Sequence, residues 1–163
     1  MVTLKEVTNI QAPIERCFDL ARSVEVHVLG NVHWGESAIA TGGVTSGLMV
    51  AGQRVTWRAR HFGIRSHLTS EISAIDRPAH FQDEQVRGPF RSMRHDHYFR
   101  SLAPDVTQME DVFVFAAPVP LVGRVVELLL LRSHMRDLLH ERNEVIRRVA
   151  ESDEWRRYLP CES

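Results

Sequence analysis

Cysteine is scarce in this chain: there are two among 163 residues, Cys17 and Cys161. Cys17 falls in an apolar helical pattern and Cys161 in a polar tail. A bridge between them is not expected, and a reducing, cytoplasmic compartment follows as the default. An excess of charge of either sign is also missing. The 20 Lys and Arg face 21 Asp and Glu, for a formal net charge of -1, which leaves no basic footprint for a nucleic-acid or membrane-surface binder. The longest apolar run, "VVELLLL" at 125–131, contains Glu127 and is far too short to cross a bilayer. The opening "MVTLKEVTNI" has no charged-then-apolar leader. No Ser-His-Asp order, glycine-rich phosphate loop or paired CxxC stands in the sequence.

What is present is a chain 44% hydrophobic, enough at this length for one domain with a real core. Residues 2–10 read as a first strand. Pro13 then precedes Ile14, Cys17, Phe18 and Ala21, whose i, i+3, i+4, i+7 spacing predicts a short amphipathic helix. A second helical piece is expected over Val24–Leu29. Glycines then break the chain into strand fragments around "ESAIATGG", with His33-Trp34 in a surface loop ahead of the alternative of a lid.

From Gln53 onward the side chains alternate. "VTWRARHF" places Val55, Trp57, Ala59 and His61 on one face. "IRSHLTSEISAI" places Ser66, Leu68, Ser70, Ile72 and Ala74 together. "HFQDEQVR" follows a turn at Asp76-Arg77-Pro78, and "TQMEDVFVFAAP" closes the series. Between them, "RGPFRSMRHDHYF" puts Met93, His95, His97 and Phe99 on one side and Arg94, Asp96 and Tyr98 on the other. Strands joined by short turns, buried on one face and polar on the other, make an antiparallel meander.

After Leu121 the period changes. Leu121, Val125, Leu128, Arg132, Met135, Leu139, Arg142, Ile146 and Val149 recur at steps of four and three, one stripe of a helix of roughly 28 residues. A single helix after a sheet is expected to cover that sheet's inner face. Two members of the stripe are arginines: Arg132 is placed to snorkel outward, and Arg142 to reach inward. Residues 1–150 are taken as one domain and 151–163 as a frayed polar tail.

The order of strand, two short helices, meander and long C-terminal helix resembles the START-like SRPBCC superfamily. The likeness is carried by "QAPIERCFDLA", "GQRVTWRARHFGIRSHLTS", "DRPAHFQDEQVRGPFRSMRHDHYF" and "MEDVFVFAAP". It implies an α+β helix-grip fold: six or seven antiparallel strands curved around the last helix, with an internal cavity for a hydrophobic or amphipathic ligand, lipid-like or polyketide-like. Trp57, Ala59, His61, Met93, His95, His97, Phe99, Asp111, Met135 and Arg142 are the residues expected to line it.

The hairpin at Gly88-Pro89-Phe90 should set Asp83 across from His95, and the hairpin at Pro104 should set Asp111 across from His97, about 5 Å apart at Cβ. Such pairs serve either as a structural polar network or as ligand contacts. A carboxylate on one imidazole nitrogen fixes the tautomer and frees the other nitrogen for proton transfer, so His95, His97, Asp83 and Glu84 are the candidates for catalysis. His-x-His is half a metal site that His61 would have to complete; the expectation is no metal and no cofactor. Binding of an apolar small molecule leads, ahead of a polyketide cyclase or dehydratase, and of an interaction protein with a vestigial pocket. No nucleic-acid partner and no membrane insertion are expected, and the oligomeric state is left open.

Overall fold

The computed structural model describes residues 1–41, 43–61, 64–116 and 125–160. Strand β1 (Val2–Ile10) leads to helices α1 (Ile14–Ala21) and α2 (Val24–Gly30). Strands β2 (Ser37–Ile39), β3 (Arg54–His61), β4 (Ile64–Asp76), β5 (His80–Arg87), β6 (Ser92–Ala103) and β7 (Val106–Ala116) follow, and then α3 (Val125–Glu151). The strands form one seven-stranded sheet in the order β1-β7-β6-β5-β4-β3-β2, with every neighbouring pair antiparallel. The sheet curves around α3. The antiparallel sheet covered by one long helix, expected from the period change, and the α+β helix-grip fold implied by the resemblance are therefore observed. No helix among the described residues is long and apolar enough to cross a membrane.

Local chemistry accounts for the elements. Pro13, extended and immediately before α1, cannot donate a backbone hydrogen bond, and the first turn asks for none. The Ser23 hydroxyl accepts from the Val26 amide and caps α2. Along β7 burial alternates strictly, with Thr107, Met109, Asp111, Phe113 and Phe115 inward.

The inner space divides into two apolar clusters. One gathers Ile10, Phe18, Leu20, Phe81, Phe99, Met109, Ile146 and Val149 under α1 and α2; the Phe18 ring meets Phe81 and Phe99 edge-on. The other joins Leu4, Met93, Phe113 and Phe115 of the sheet to Met135 and Leu139 of α3. Arg142 and Asn143, both buried, lie between them on the helix.

Three expectations need correction. Strict alternation in β4 put Ala74 inward, but a register shift between Ile72 and Ala74 leaves Ser73 unpaired. Ile75 instead pairs with Phe81 and packs on the core. Residues beyond 150 do not form a frayed tail throughout. Asp153–Arg157 is a 3₁₀ turn capped by Ser152, and Trp155, Tyr158 and Leu159 pack on the larger cluster. Finally, Asp96 lies on the outer face yet is buried, because His80, Gln82 and Arg94 close over its carboxylate. Leu121 and Cys161 lie outside the described residues; Cys17 is a buried free thiol, and burial raises its pKa to about 11.

Candidate functional site

Beside the smaller cluster lies a cavity of about 330 Å³ between the sheet and α3. Its wall is mostly apolar: Leu68, Phe90, Met93 and Phe113 on the sheet side, and Leu131, Met135, Leu138 and Leu139 on the helix side. The cross-strand pair Ala59 and Ser66 contributes small side chains where larger ones would fill the space. Asp83, His95 and Arg142 form the polar part of the wall nearest the larger cluster. The volume falls in the range of ordinary small-molecule sites.

The register expected from the hairpins is present: Asp83 stands opposite His95, and His97 opposite Asp111. The hydrogen bonds, however, run largely on the diagonals. His95 Nε2 lies 2.8 Å from Asp111 Oδ1, and His97 Nε2 lies 3.1 Å from Asp83 Oδ1. The two imidazoles are inward neighbours on β6, and their ring centroids are 3.8 Å apart. His95 therefore reaches past its directly facing Asp83 to Asp111, while His97 lies between the two acids, its Nε2 toward Asp83 and its Nδ1 toward the facing Asp111. Behind them Asp111, fully buried, also accepts from Asn143 Nδ2 at 2.6 Å and from Arg142 Nη2 at 3.2 Å, and lies 2.7 Å from His97 Nδ1. Arg142 Nη2 lies 3.0 Å from the same His97 nitrogen, and the His97 ring stacks on Phe81 at 4.0 Å. A Cβ on Gly30 would come within 3.1 Å of the Arg142 Cα. That close approach of α2 holds the arginine's stem in place.

These contacts set the charges. Burial opposes ionisation of Asp111, but the Arg142 and His97 charges and the histidine hydrogen bonds outweigh it, so its carboxyl stays well below the usual range. Asp83 is likewise lowered: burial works against it, and the hydrogen bond from His97 and the nearby cationic groups prevail. Burial, joined by the neighbouring His97 charge, brings His95 down to about 4 despite its bond to Asp111. A neutral His95 that donates from Nε2 to an ionised Asp111 carries a bare Nδ1, which lies 4.0 Å from Asp83 Oδ1.

Of the residues expected at the cavity, Trp57, Ala59, Met93, His95, Met135 and Arg142 border it, as does Asp83. His97 borders a small adjoining recess of about 40 Å³ with Asp83, His95 and Arg142. Phe99 does not line the cavity, because it is taken up by Phe18 in the core. Asp111 stands behind the histidines, and Glu84 is exposed on the outer face opposite Arg94. The side chain of His61 lies outside the described residues. Sequence reasoning missed a second polar group at the cavity. His27 Nε2 lies 2.7 Å from Glu36 Oε1, its ring stacks on Trp57 at 3.9 Å, and Asn31 is beside them. The signal that the sequence offered was a histidine, His27, within a short and otherwise mostly apolar helical piece.

No family model and no curated protein sequence matches the chain. Solved structures do. TTHA0849 from Thermus thermophilus superposes with a TM-score of 0.68 at 18% identity, covering 89% of this chain and 97% of that one. A START superfamily protein from Mycobacterium smegmatis gives a TM-score of 0.61 at 13% identity over 87% of this chain and 97% of that one. The di-domain ARO/CYC BexL from the BE-7585A biosynthetic pathway gives 0.62 at 14% identity, covering 94% of this chain and 48% of that one. At these identities the likeness establishes the fold: the chain has the START-like helix-grip fold that the sequence motifs resemble.

Proposed function

We propose that this protein is a cytoplasmic binder of a hydrophobic or amphipathic small molecule, lipid-like or polyketide-like, held in the cavity between sheet and C-terminal helix. One observation carries the reading: a cavity of about 330 Å³, apolar over most of its wall, has Asp83, His95 and Arg142 gathered on one part of it. The apolar body of a ligand would lie against Phe90, Met93, Phe113 and Met135, where it gains roughly 25 cal/mol per Å² of surface removed from water. An oxygen of the ligand would face the polar group, which fixes its orientation. Native mass spectrometry of gently purified protein tests this. A co-purified small molecule of apolar character is expected. A protein that carries none, and takes up none from an apolar extract, would contradict the reading.

A second reading, proton transfer in a cyclase or dehydratase, is favoured by one feature. His95 is held by Asp111 with its Nδ1 bare near Asp83, the arrangement of an oriented general base. The fold likeness to BexL, an ARO/CYC, points the same way. Turnover of a β-polyketone thioester that disappears in His95→Gln, while the substrate still binds, would favour this reading over simple binding.

A further inference from the structure

We propose that Asp83, His95 and His97 form a binding site for a divalent transition-metal ion of the zinc class, set in the polar wall of the cavity. The inference deepens the ligand-binding reading and rests on it only for what the metal would serve.

The three side chains offer donor atoms that all lie within 4.8 Å of one another. His97 Nε2 is 3.1 Å and His95 Nδ1 4.0 Å from Asp83 Oδ1. Ligand atoms about 2.0–2.2 Å from a tetrahedral zinc stand roughly 3.4 Å apart. The set is therefore close to a coordination shell and slightly wide on one side. Asp83 is the member best able to close it, since its side chain is 18% exposed against 5% for His95 and 2% for His97.

The layer behind supplies the second argument. A ligating histidine needs its other ring nitrogen held by an acceptor, and one carboxylate serves both rings here. Asp111 Oδ1 lies 2.8 Å from His95 Nε2 and 2.7 Å from His97 Nδ1, the nitrogens turned away from Asp83. Binding of an ion would release the proton that His97 Nε2 shares with Asp83; with protons on the outer nitrogens, His95 Nδ1 and His97 Nε2 then both face the same region as Asp83. Asn143 and Arg142 in turn hold Asp111. Arg142 also balances the Asp111 charge, so the ion meets a donor set of two neutral nitrogens and one carboxylate.

The site is also open to the cavity. Asp83 and His95 border the large cavity, so three protein ligands would leave a position open to it, as in zinc sites that bind a substrate or ligand oxygen. Arg142 borders the same cavity, and its guanidinium charge would favour an anionic ligand such as an enolate or carboxylate. Two nitrogens and one oxygen suit zinc, cobalt, nickel or ferrous iron better than magnesium or calcium. Sequence reading treated His-x-His as half a site and looked to His61; the sheet register brings Asp83 instead.

The test uses the untagged full chain, stripped with a chelator and titrated with Zn²⁺ by calorimetry and with Co²⁺ by visible spectroscopy. One ion per chain is expected, with d–d absorption of low-coordinate Co²⁺ and a chelator-reversible rise in melting temperature. Asp83→Ala and His95→Ala should each abolish the Co²⁺ band, Asp111→Asn should weaken affinity about 10–100-fold, and His140→Ala should change nothing. Absence of stoichiometric binding to the wild type, or unchanged affinity in folded Asp83→Ala, would overturn the site and show the cluster to be a hydrogen-bonded network alone. Should a variant not fold, the reversible melting shift of the wild type decides. An apolar fluorescent probe titrated into the stripped protein reports separately on the cavity, so either idea can fail without the other.

Discussion

The two halves of α3 bury different surroundings. Toward its C-terminus, Ile146, Val149 and Ala150 press into a cluster closed by α1, α2 and a trio of phenylalanines. Toward its N-terminus, Met135 and Leu139 face Met93 and Phe113 across an unfilled cavity. The same sheet and the same helix build both ends. What differs is the cover and the side-chain size: α1 and α2 pack over the first, while Ala59, Ser66 and Ser70 leave the second open. Between them runs the layer of Asp83, His95, His97, Asp111, Arg142 and Asn143. The packed end stabilises the fold, and the open end is where the proposed ligand would sit.

The largest contrast should appear on truncation. Phe18→Ala is expected to cost about 3–5 kcal/mol, because the ring is fully buried and edge-packed. Met135→Ala should cost less, about 2 kcal/mol, the low end for a buried methionine, since one side of its side chain borders a cavity and not packed atoms. Urea unfolding of the two variants measures the difference, and equal losses would erase the distinction between the ends.

The polar layer comes next. Replacing His97 by Phe leaves the Asp83 and Asp111 carboxylates and the Arg142 guanidinium short of a partner. A loss of about 1–3 kcal/mol follows, visible in thermal melts. A variant as stable as the wild type would mean that the ring sits loosely against a space and not in a close network.

A pH effect of the same layer should be separable in the metal-free protein. His95 stays neutral in the folded chain down to about 4, against 6.5 for an ordinary histidine. The unfolded chain therefore takes up a proton first. Stability is full above pH 6.5 and is lost as pH falls from 6.5 toward about 4. The Asp83 and Asp111 contributions, whose pKa values lie below the ordinary 3.8, are lost only at lower pH. Urea midpoints compared at about pH 7 and pH 5 should fall in the wild type and fall less in His95→Gln. At the small end, His140→Ala removes a surface pair with Glu6 and should change stability by under about 0.5 kcal/mol.

Much of this was legible in the sequence, and the exceptions have physical causes. The long strands were readable because β3 to β7 alternate, and short hairpins set the Asp83–His95 and His97–Asp111 register. Sequence spacing alone does not report that side chains lean along the strand, so the diagonal hydrogen bonds were not foreseeable. Ser73 carries no sign of a bulge, yet the bulge exchanges Ala74 for Ile75 on the inner face. Phe99 has the parity of a cavity residue, but α1 brings Phe18 against it, a packing fact with no local signature. His27 and Glu36 meet only through the loop that follows α2. Arg142, by contrast, stood out as an arginine on an apolar stripe, and it is buried against the histidines and Asp111.

The central claim is that the open end is a binding cavity, and filling it tests that claim most directly. An environment-sensitive apolar fluorophore should be titrated into the wild type and into Ala59→Phe, whose added ring would occupy cavity space beside Ser66. The account predicts saturable binding to the wild type and at least about tenfold weaker binding to Ala59→Phe with stability retained, since about 1.4 kcal/mol corresponds to tenfold in affinity. No binding to the wild type, or equal binding to both folded proteins, would contradict it.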